Sequence, residues 1–567
     1  MRRWVGSIAV CAMAIAGVAA SAPSARGAAG AARAPGTAKA PAGTGIGSAA
    51  AMSNPKCNAT IGPYGRWNND RVGTGPVCVI PWPAGKDNGG ATAQGVTKDA
   101  ITVVAIVPTA QQLAAQTSAG GSPPVDRATG KTGTMQNALR DLLTAATHTY
   151  EGYGRTVDLQ IVESTGTDEA AQRADAVAVL AKKPFAVIDA TPVGLDAFEA
   201  AIASAHVPVN GYAGTVTKSL KQAPYRWGQS DAQASAINAA EFAGKQLVGG
   251  SAQWAGDTSL QKQKRAFGTI YADATIDLDA FSAQLAKYKG KVVEALPYTS
   301  NGSTLGDSVT AQEAAPTIVA KLKSAGVTTV FLFTDVAMTS AVLKQATQQE
   351  YRPEWVITAY QYQDLSILSR NYDPDQWAHA FGISNLYPYV ASAGGQNSSN
   401  DAFAWFWGPN NGTYSVQGGS WIAWLMTGVH AAGPNLTPKT FQQGLFALPA
   451  AGGAASSNPA AFQTGYGKTV GLPYDEYMAL GTDFAPVWFD AKTDSFSQIL
   501  GTKGTGTTWY LDGAKRYHAG QWPTKPFAFF DASASINQFD TPPVPLTASV
   551  PCVECPSSGS SVRPAAG

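Results

Sequence analysis

Charge is scarce in this chain: 40 Lys and Arg against 39 Asp and Glu make up 14% of 567 residues, where globular proteins average about 25%. The formal net charge is +1 and no basic patch is visible, which argues against a nucleic-acid surface built from clustered Lys and Arg. Histidine is scarcer still. His148, His206, His379, His430 and His518 are scattered without ligand spacing, so no metal site is expected. A nucleophile elbow is missing too, because Gly418-Gly419-Ser420-Trp421-Ile422 fails at its last position. Gly467-Lys468-Thr469 imitates the end of a phosphate loop, but Phe462 stands where the required glycine would be. These absences leave no catalytic residue and no cofactor to name, and a non-enzyme is expected.

The apolar run from Ile8 to Val18 is too short for a membrane span, which takes about 20 residues. Preceded by Arg2 and Arg3 and followed by Ala19 and Ala20, it reads as an export signal over residues 1–20. Cys11 lies inside the run, too near the start and after an ill-fitting Val10, which argues against a lipid anchor. Four cysteines then remain, Cys57, Cys78, Cys552 and Cys555, an even number that favours disulfides in an exported chain. Three pairings are open, neighbour with neighbour being the simplest. Cys552-Val-Glu-Cys555 imitates a redox motif, but Pro551 and Pro556 bracket it and deny it the helix start that lowers a thiolate pKa.

What is present is an alternation. Residues 21–53 form an Ala/Gly/Pro leader too poor in apolar side chains to order, and residues 54–98 form a Gly/Pro-rich, disulfide-stapled extension. From Asp99 onward, β-branched runs such as ITVVAIVP (101–108), FAVIDA (185–190) and VTTVFLF (327–333) alternate with amphipathic stretches. Strands apolar on both faces, with helices between them, predict buried parallel sheets. The alternation pauses at YRWGQSD (225–231) and restarts, which implies two lobes.

Several phrases resemble the leucine/isoleucine/valine-binding branch of the type I periplasmic binding proteins that serve ABC importers. They are GVTKDAITVVAIVP (95–108), AVIDATPVGLDAFEAAIASAHVPVNGYA (186–213), YRWGQSDAQASA (225–236), YTSNGST (298–304) and WLMTGVHAAGPNLTPKTFQQGL (424–445). The resemblance covers roughly 99–500. It implies an α/β fold of two Rossmann-like lobes with a hinge of three crossing strands, closing like a flytrap on a small ligand. On that basis residues 99–228 and 390–480 belong to the first lobe, 229–389 and 481–545 to the second lobe with a C-terminal extension, and 546–567 to a cysteine-containing tail. The implied function is capture of an amino acid or similar small polar metabolite for an ABC permease, by a monomer. A sensor or scaffold without transport duty, and a secreted α/β enzyme, are the alternatives.

Ligands of parallel sheets bind beyond the carboxyl ends of the strands. Carried onto this chain, the ligand-binding candidates are Thr191, Val193 and Gly194 at a helix start, Tyr212 and Ala213 after the fourth strand, Thr334 and Asp335, and Tyr360 and Gln361. Thr191 with the following amides suits a carboxylate, Asp335 suits an ammonium group, and each has a plainer reading as a helix cap. The chain departs from the family at 108–130, a longer first loop, and at Asp189-Ala190-Thr191-Pro192, where Gly-Pro-Ser-Ser is usual.

Overall fold

A computed structural model describes residues 82–113, 133–147, 150–191, 194–212, 215–229, 231–300, 306–390, 416–447, 465–468, 471–478, 481–498 and 501–539. The export signal, the leader, all five cysteines and the tail lie outside the described residues.

The first lobe is a five-stranded parallel sheet. Its strands are β1 (Ala100–Val107), β2 (Thr156–Glu163), β3 (Ala186–Asp189), β4 (Val209–Gly211) and β5 (Arg226–Gly228), in the order β2-β1-β3-β4-β5. Helices α1 (Met135–Thr147), α2 (Glu169–Leu180), α3 (Asp196–Ser204) and α4 (Val216–Lys221) connect successive strands. β3 is buried at every position, as a strand covered by helices on both faces must be. One side packs Val104, Val187 and Val209 against Ala176, Phe198 and Ile202 of α2 and α3. The other packs Val103, Ala105 and Ile188 against α1 and two helices from much later in the chain.

The second lobe begins with α5 (Ala232–Gln246) and a short turn α6 (Thr258–Gln261). It continues through β6 (Phe267–Ala272), α7 (Leu278–Ala286), β7 (Val292–Tyr298), α8 (Ser308–Ser324), β8 (Thr329–Phe333), α9 (Val336–Gln348) and β9 (Glu354–Thr358) to β10 (Ala380–Ser384). These strands run parallel in the order β10-β9-β8-β6-β7. The C-terminal segment extends this sheet antiparallel on the β10 side with a hairpin of Asp483–Phe496 and Lys503–Leu511.

The chain passes between the lobes three times. It leaves the first after Gly228, returns between Val390 and the helix Val416–Ala432, which packs in the first lobe's core, and leaves again after Met478, to enter the second lobe's sheet at Asp483. Gly228 and Met478 pair as a parallel bridge, and the Gly228 amide donates to the Tyr477 carbonyl at 3.0 Å, so two of the crossings lie side by side.

Candidate functional site in the interlobe cleft

Polar side chains gather where the parallel strands of both lobes end, because a helix must start there and needs partners for its free amides. On the first lobe, β3 ends at Asp189, which is fully buried. Its carboxylate accepts from the Thr191 amide at 3.0 Å, the Thr191 hydroxyl at 2.6 Å and the Leu195 amide at 3.0 Å. Glu199 from α3 lies under it, and Gly211 ends β4 at a point where a Cβ would collide with both carboxyl side chains. Arg226 balances this acidity, holding Glu199 at 3.0 Å and Asp196 at 2.6 Å while itself only 2% exposed. Burial nevertheless pushes the Asp189 carboxyl up to about 6.

Tyr212 stands at the mouth of β4, its ring edge-on to Trp421 at 5.3 Å and 38% exposed. Desolvation raises its phenol, with Tyr362 of the second lobe and Asp189 adding to the effect.

On the second lobe, β8 is followed by Thr334 and Asp335. Asp335 caps α9 by accepting from the Met338 amide at 2.9 Å, and its other oxygen accepts from the Tyr298 hydroxyl at 2.9 Å and the Ser300 hydroxyl at 3.3 Å. Gly306, at φ +74°, packs directly on that carboxylate. Thr334 is fully buried, sharing its hydroxyl with Thr339 at 2.8 Å and receiving the Gln363 amide at 2.8 Å. After β9 the backbone turns left-handed at Ala359 (φ 62°), Gln361 (φ 52°) and Tyr362 (φ 57°). Three such residues without a glycine among them cost energy, and strain of this kind concentrates at ligand sites.

The structure places Thr191 and Gly194 after β3 and Tyr212 after β4 of the first lobe, and Thr334 and Asp335 after β8 and Tyr360 and Gln361 after β9 of the second, while Val193 and Ala213 lie outside the described residues. Asp189, Tyr298, Tyr362 and Gln363 lie at the same strand ends. Of these the sequence marked Asp189 only, as a departure from the family; a position at a strand end was the available signal. Trp421 and Trp424 are fully buried, and Trp421 also backs Tyr212. Among the described residues no group of three or more His, Cys, Asp and Glu is placed to hold a metal ion, and no helix is long and apolar enough to cross a membrane.

Two α/β sheets, each with a parallel core, joined by three crossings decide the architecture. The fold is that of the type I periplasmic binding proteins. No family model and no curated protein matches the chain. Solved structures similar to it include a solute-binding protein of an ABC transporter from Rhodopseudomonas palustris BisB5, in complex with 3,4-dihydroxybenzoic acid, at 13% identity and TM-score 0.42 over 72% of this chain and 97% of that one. A putative branched-chain amino acid ABC transporter protein from Rhodospirillum rubrum is similar at 13% identity and TM-score 0.40, over 74% of this chain and 99% of its own. A fatty acid ABC transporter substrate-binding protein from Thermomonospora curvata gives 13% and 0.42, over 75% and 96%. The fold assignment stands on the strand orders and crossings, not on these distant likenesses.

The buried carboxyls make stability depend on pH in an unusual direction. Asp189 and Asp364 titrate at about 6 in the folded chain against an ordinary 3.8, both chiefly through burial. Between those values the folded chain holds protons that the unfolded chain releases, so stability grows as pH falls through about 6 and the gain is complete near 4. Each carboxyl contributes about 3 kcal/mol over that window, and Glu476, raised by burial and by Asp231, acts in the same sense. Thermal scans are expected to show a higher Tm at pH 5 than at pH 7.5; a lower one would mean these carboxyls are not buried as described.

Proposed function

We propose that this chain is an exported solute-binding protein that captures a small ligand between its lobes and delivers it to an ABC permease. The observation that supports the reading is the gathering of aromatic and polar side chains at the strand ends of both lobes, Tyr212 on the first and Tyr360 and Tyr362 on the second, with two of the crossings between the lobes running side by side. Closure would then be a shift of population toward the state in which a ligand bridges both walls. An ABC permease partner and capture of an amino acid or similar small polar metabolite are what the sequence resemblance implies.

Thermal shift of the purified chain against amino acids, amides, short peptides, sugars and phenols tests the reading. A true ligand at 100 times its Kd adds about 2.7 kcal/mol to stability, and the upward shift is expected to shrink in Tyr212→Ala and Tyr360→Ala. Closure should also reduce the radius of gyration in solution scattering; a ligand that stabilises without compaction would contradict the flytrap.

A further inference from the structure

A two-lobed fold bends at its crossings, because a few residues there absorb the change in φ and ψ. Backbone that is bonded into a strand ladder cannot turn without breaking those bonds. The laddered residues of a crossing therefore limit where it bends and how far. The first and last crossings brace each other through Gly228 and Met478. The second is braced by the end of the chain. Tyr389–Val390, where it leaves the second lobe, pairs in parallel with Gln538–Phe539, Tyr389 opposite Gln538 and Val390 opposite Phe539. Among the described residues no other strand pairs with Tyr389–Val390. The Tyr389 ring stacks on Phe496 at 4.9 Å, and Gly501 lies so close that a Cβ there would strike the ring. The second lobe's hairpin thus holds the Tyr389 side chain, and the C-terminal strand holds its backbone.

The run that delivers this strand is fixed to the second lobe along its length. Lys245 and Gln246 of α5 donate to the carbonyls of Trp522 and Pro523 at 2.7 and 2.6 Å, and the Trp522 indole donates to Asn238 at 2.9 Å. Phe529 packs among Phe381 at 5.0 Å, Trp254 at 5.2 Å and Phe242 at 5.9 Å. Ser535 and Ile536 then pair antiparallel with Leu511 and Tyr510, and the Trp488 indole donates to the Ser535 hydroxyl at 3.0 Å. Only the last step, across Asn537 to Gln538–Phe539, reaches the second crossing. Its anchorage is unequal: aromatic rings and side-chain bonds hold the run upstream, whereas a two-residue ladder holds the end. Such a ladder is the weakest link and opens first, while the rest of the run stays docked.

We propose that Gln538–Phe539 is a releasable strap on the hinge. Paired, it holds the start of the second crossing to the second lobe and narrows the range of lobe orientations; released, it lets that range widen. This goes beyond the solute-binding reading and does not depend on it, since it concerns the hinge whatever the cleft holds.

Two measurements on the ligand-free full chain test it. Hydrogen exchange, read by mass spectrometry with fragmentation to single residues, is expected to show Tyr389–Val390 and Gln538–Phe539 opening together, at least about tenfold faster than Ser535–Ile536 and β10. Protection equal to that of β10 would overturn the release, and exchange as fast as in a free peptide would overturn the pairing. The second measurement is the interlobe distance, taken by pulsed dipolar spectroscopy between spin labels on p-acetylphenylalanine placed at Val177 of α2 and Val309 of α8, both exposed. Gln538→Pro with Phe539→Pro removes both strand N–H donors. In that double variant the distance distribution is expected to widen at least about 1.5-fold, with faster exchange at Tyr389–Val390 and unchanged exchange in β10. An unchanged width would overturn the proposal. A wider distribution accompanied by faster exchange in β10 would mean that the lobe itself had loosened, and would overturn it too. If the double variant does not fold, the exchange rates of the wild-type chain decide.

Discussion

Arg516→Ala is expected to destabilise the second lobe by about 3–5 kcal/mol, the cost of leaving a buried ion pair without one partner. Arg516 is buried within the lobe, 3.1 Å from Asp483, and donates to the carbonyls of Leu386 at 2.6 Å, Asn385 at 3.2 Å and Asp483 at 2.7 Å. Asn385 and Leu386 follow β10 just before the chain returns to the first lobe, and Asp483 begins the strand entered after the last crossing. One guanidinium therefore ties two of the three crossings together at the second lobe. Arg516→Lys, with one charged head in place of a planar fork, cannot reach all of these carbonyls and should recover only part of the loss. Urea unfolding followed by circular dichroism would measure both variants. A change below about 1 kcal/mol in Arg516→Ala would mean the guanidinium is solvated rather than buried. Ligand closure should suffer as well, because the crossings would no longer move as a pair.

Trp227→Ala is expected to cost the first lobe about 4 kcal/mol. Trp227 is fully buried at the middle of β5, with Tyr477 at 4.8 Å, Tyr466 at 5.5 Å, Phe441 at 6.1 Å and Trp424 at 6.2 Å around its ring, and its indole N–H donates to the Pro224 carbonyl at 2.8 Å. These partners come from the turn before β5, from the helices 416–432 and 438–447, and from the segment before the last crossing, so the indole is where the separate first-lobe segments converge. Its removal leaves a cavity that four aromatic rings cannot refill without losing their edge-to-face contacts. Because each lobe has its own core, unfolding need not be two-state. Trp227→Ala should lower the first-lobe transition and Arg516→Ala the second, a separation that scanning calorimetry would resolve. Equal shifts in both transitions would show that the lobes unfold as one unit.

Much of this was legible in residue order. The stretch 315–360 reads helix, strand, helix, strand, and the structure has α8, β8, α9 and β9 there, with β8 and β9 buried at every position. Period and β-branching carry that information locally, since a strand covered on both faces has no polar alternate. Thr437 and Pro438 announce the helix 438–447, and the Thr437 hydroxyl accepts from the Thr440 amide at 3.1 Å. The role of Asp189 was legible only as an irregularity, because nothing local distinguishes a carboxylate that waits for solvent from one that fills its own loop. Asp335 was similarly double in meaning, and in the structure both of its oxygens are engaged within the second lobe.

The sequence by itself determined the α/β alternation, the two-lobed division and the positions of the strand ends, because hydrophobic period and turn residues act over short stretches of chain. Only the tertiary structure decided which of those ends face one another and which donors remain free there. The Trp227 cluster, the Arg516 clip and the pairing of Gly228 with Met478 join residues separated by more than a hundred positions, and such contacts depend on how the lobes pack, which no local pattern encodes.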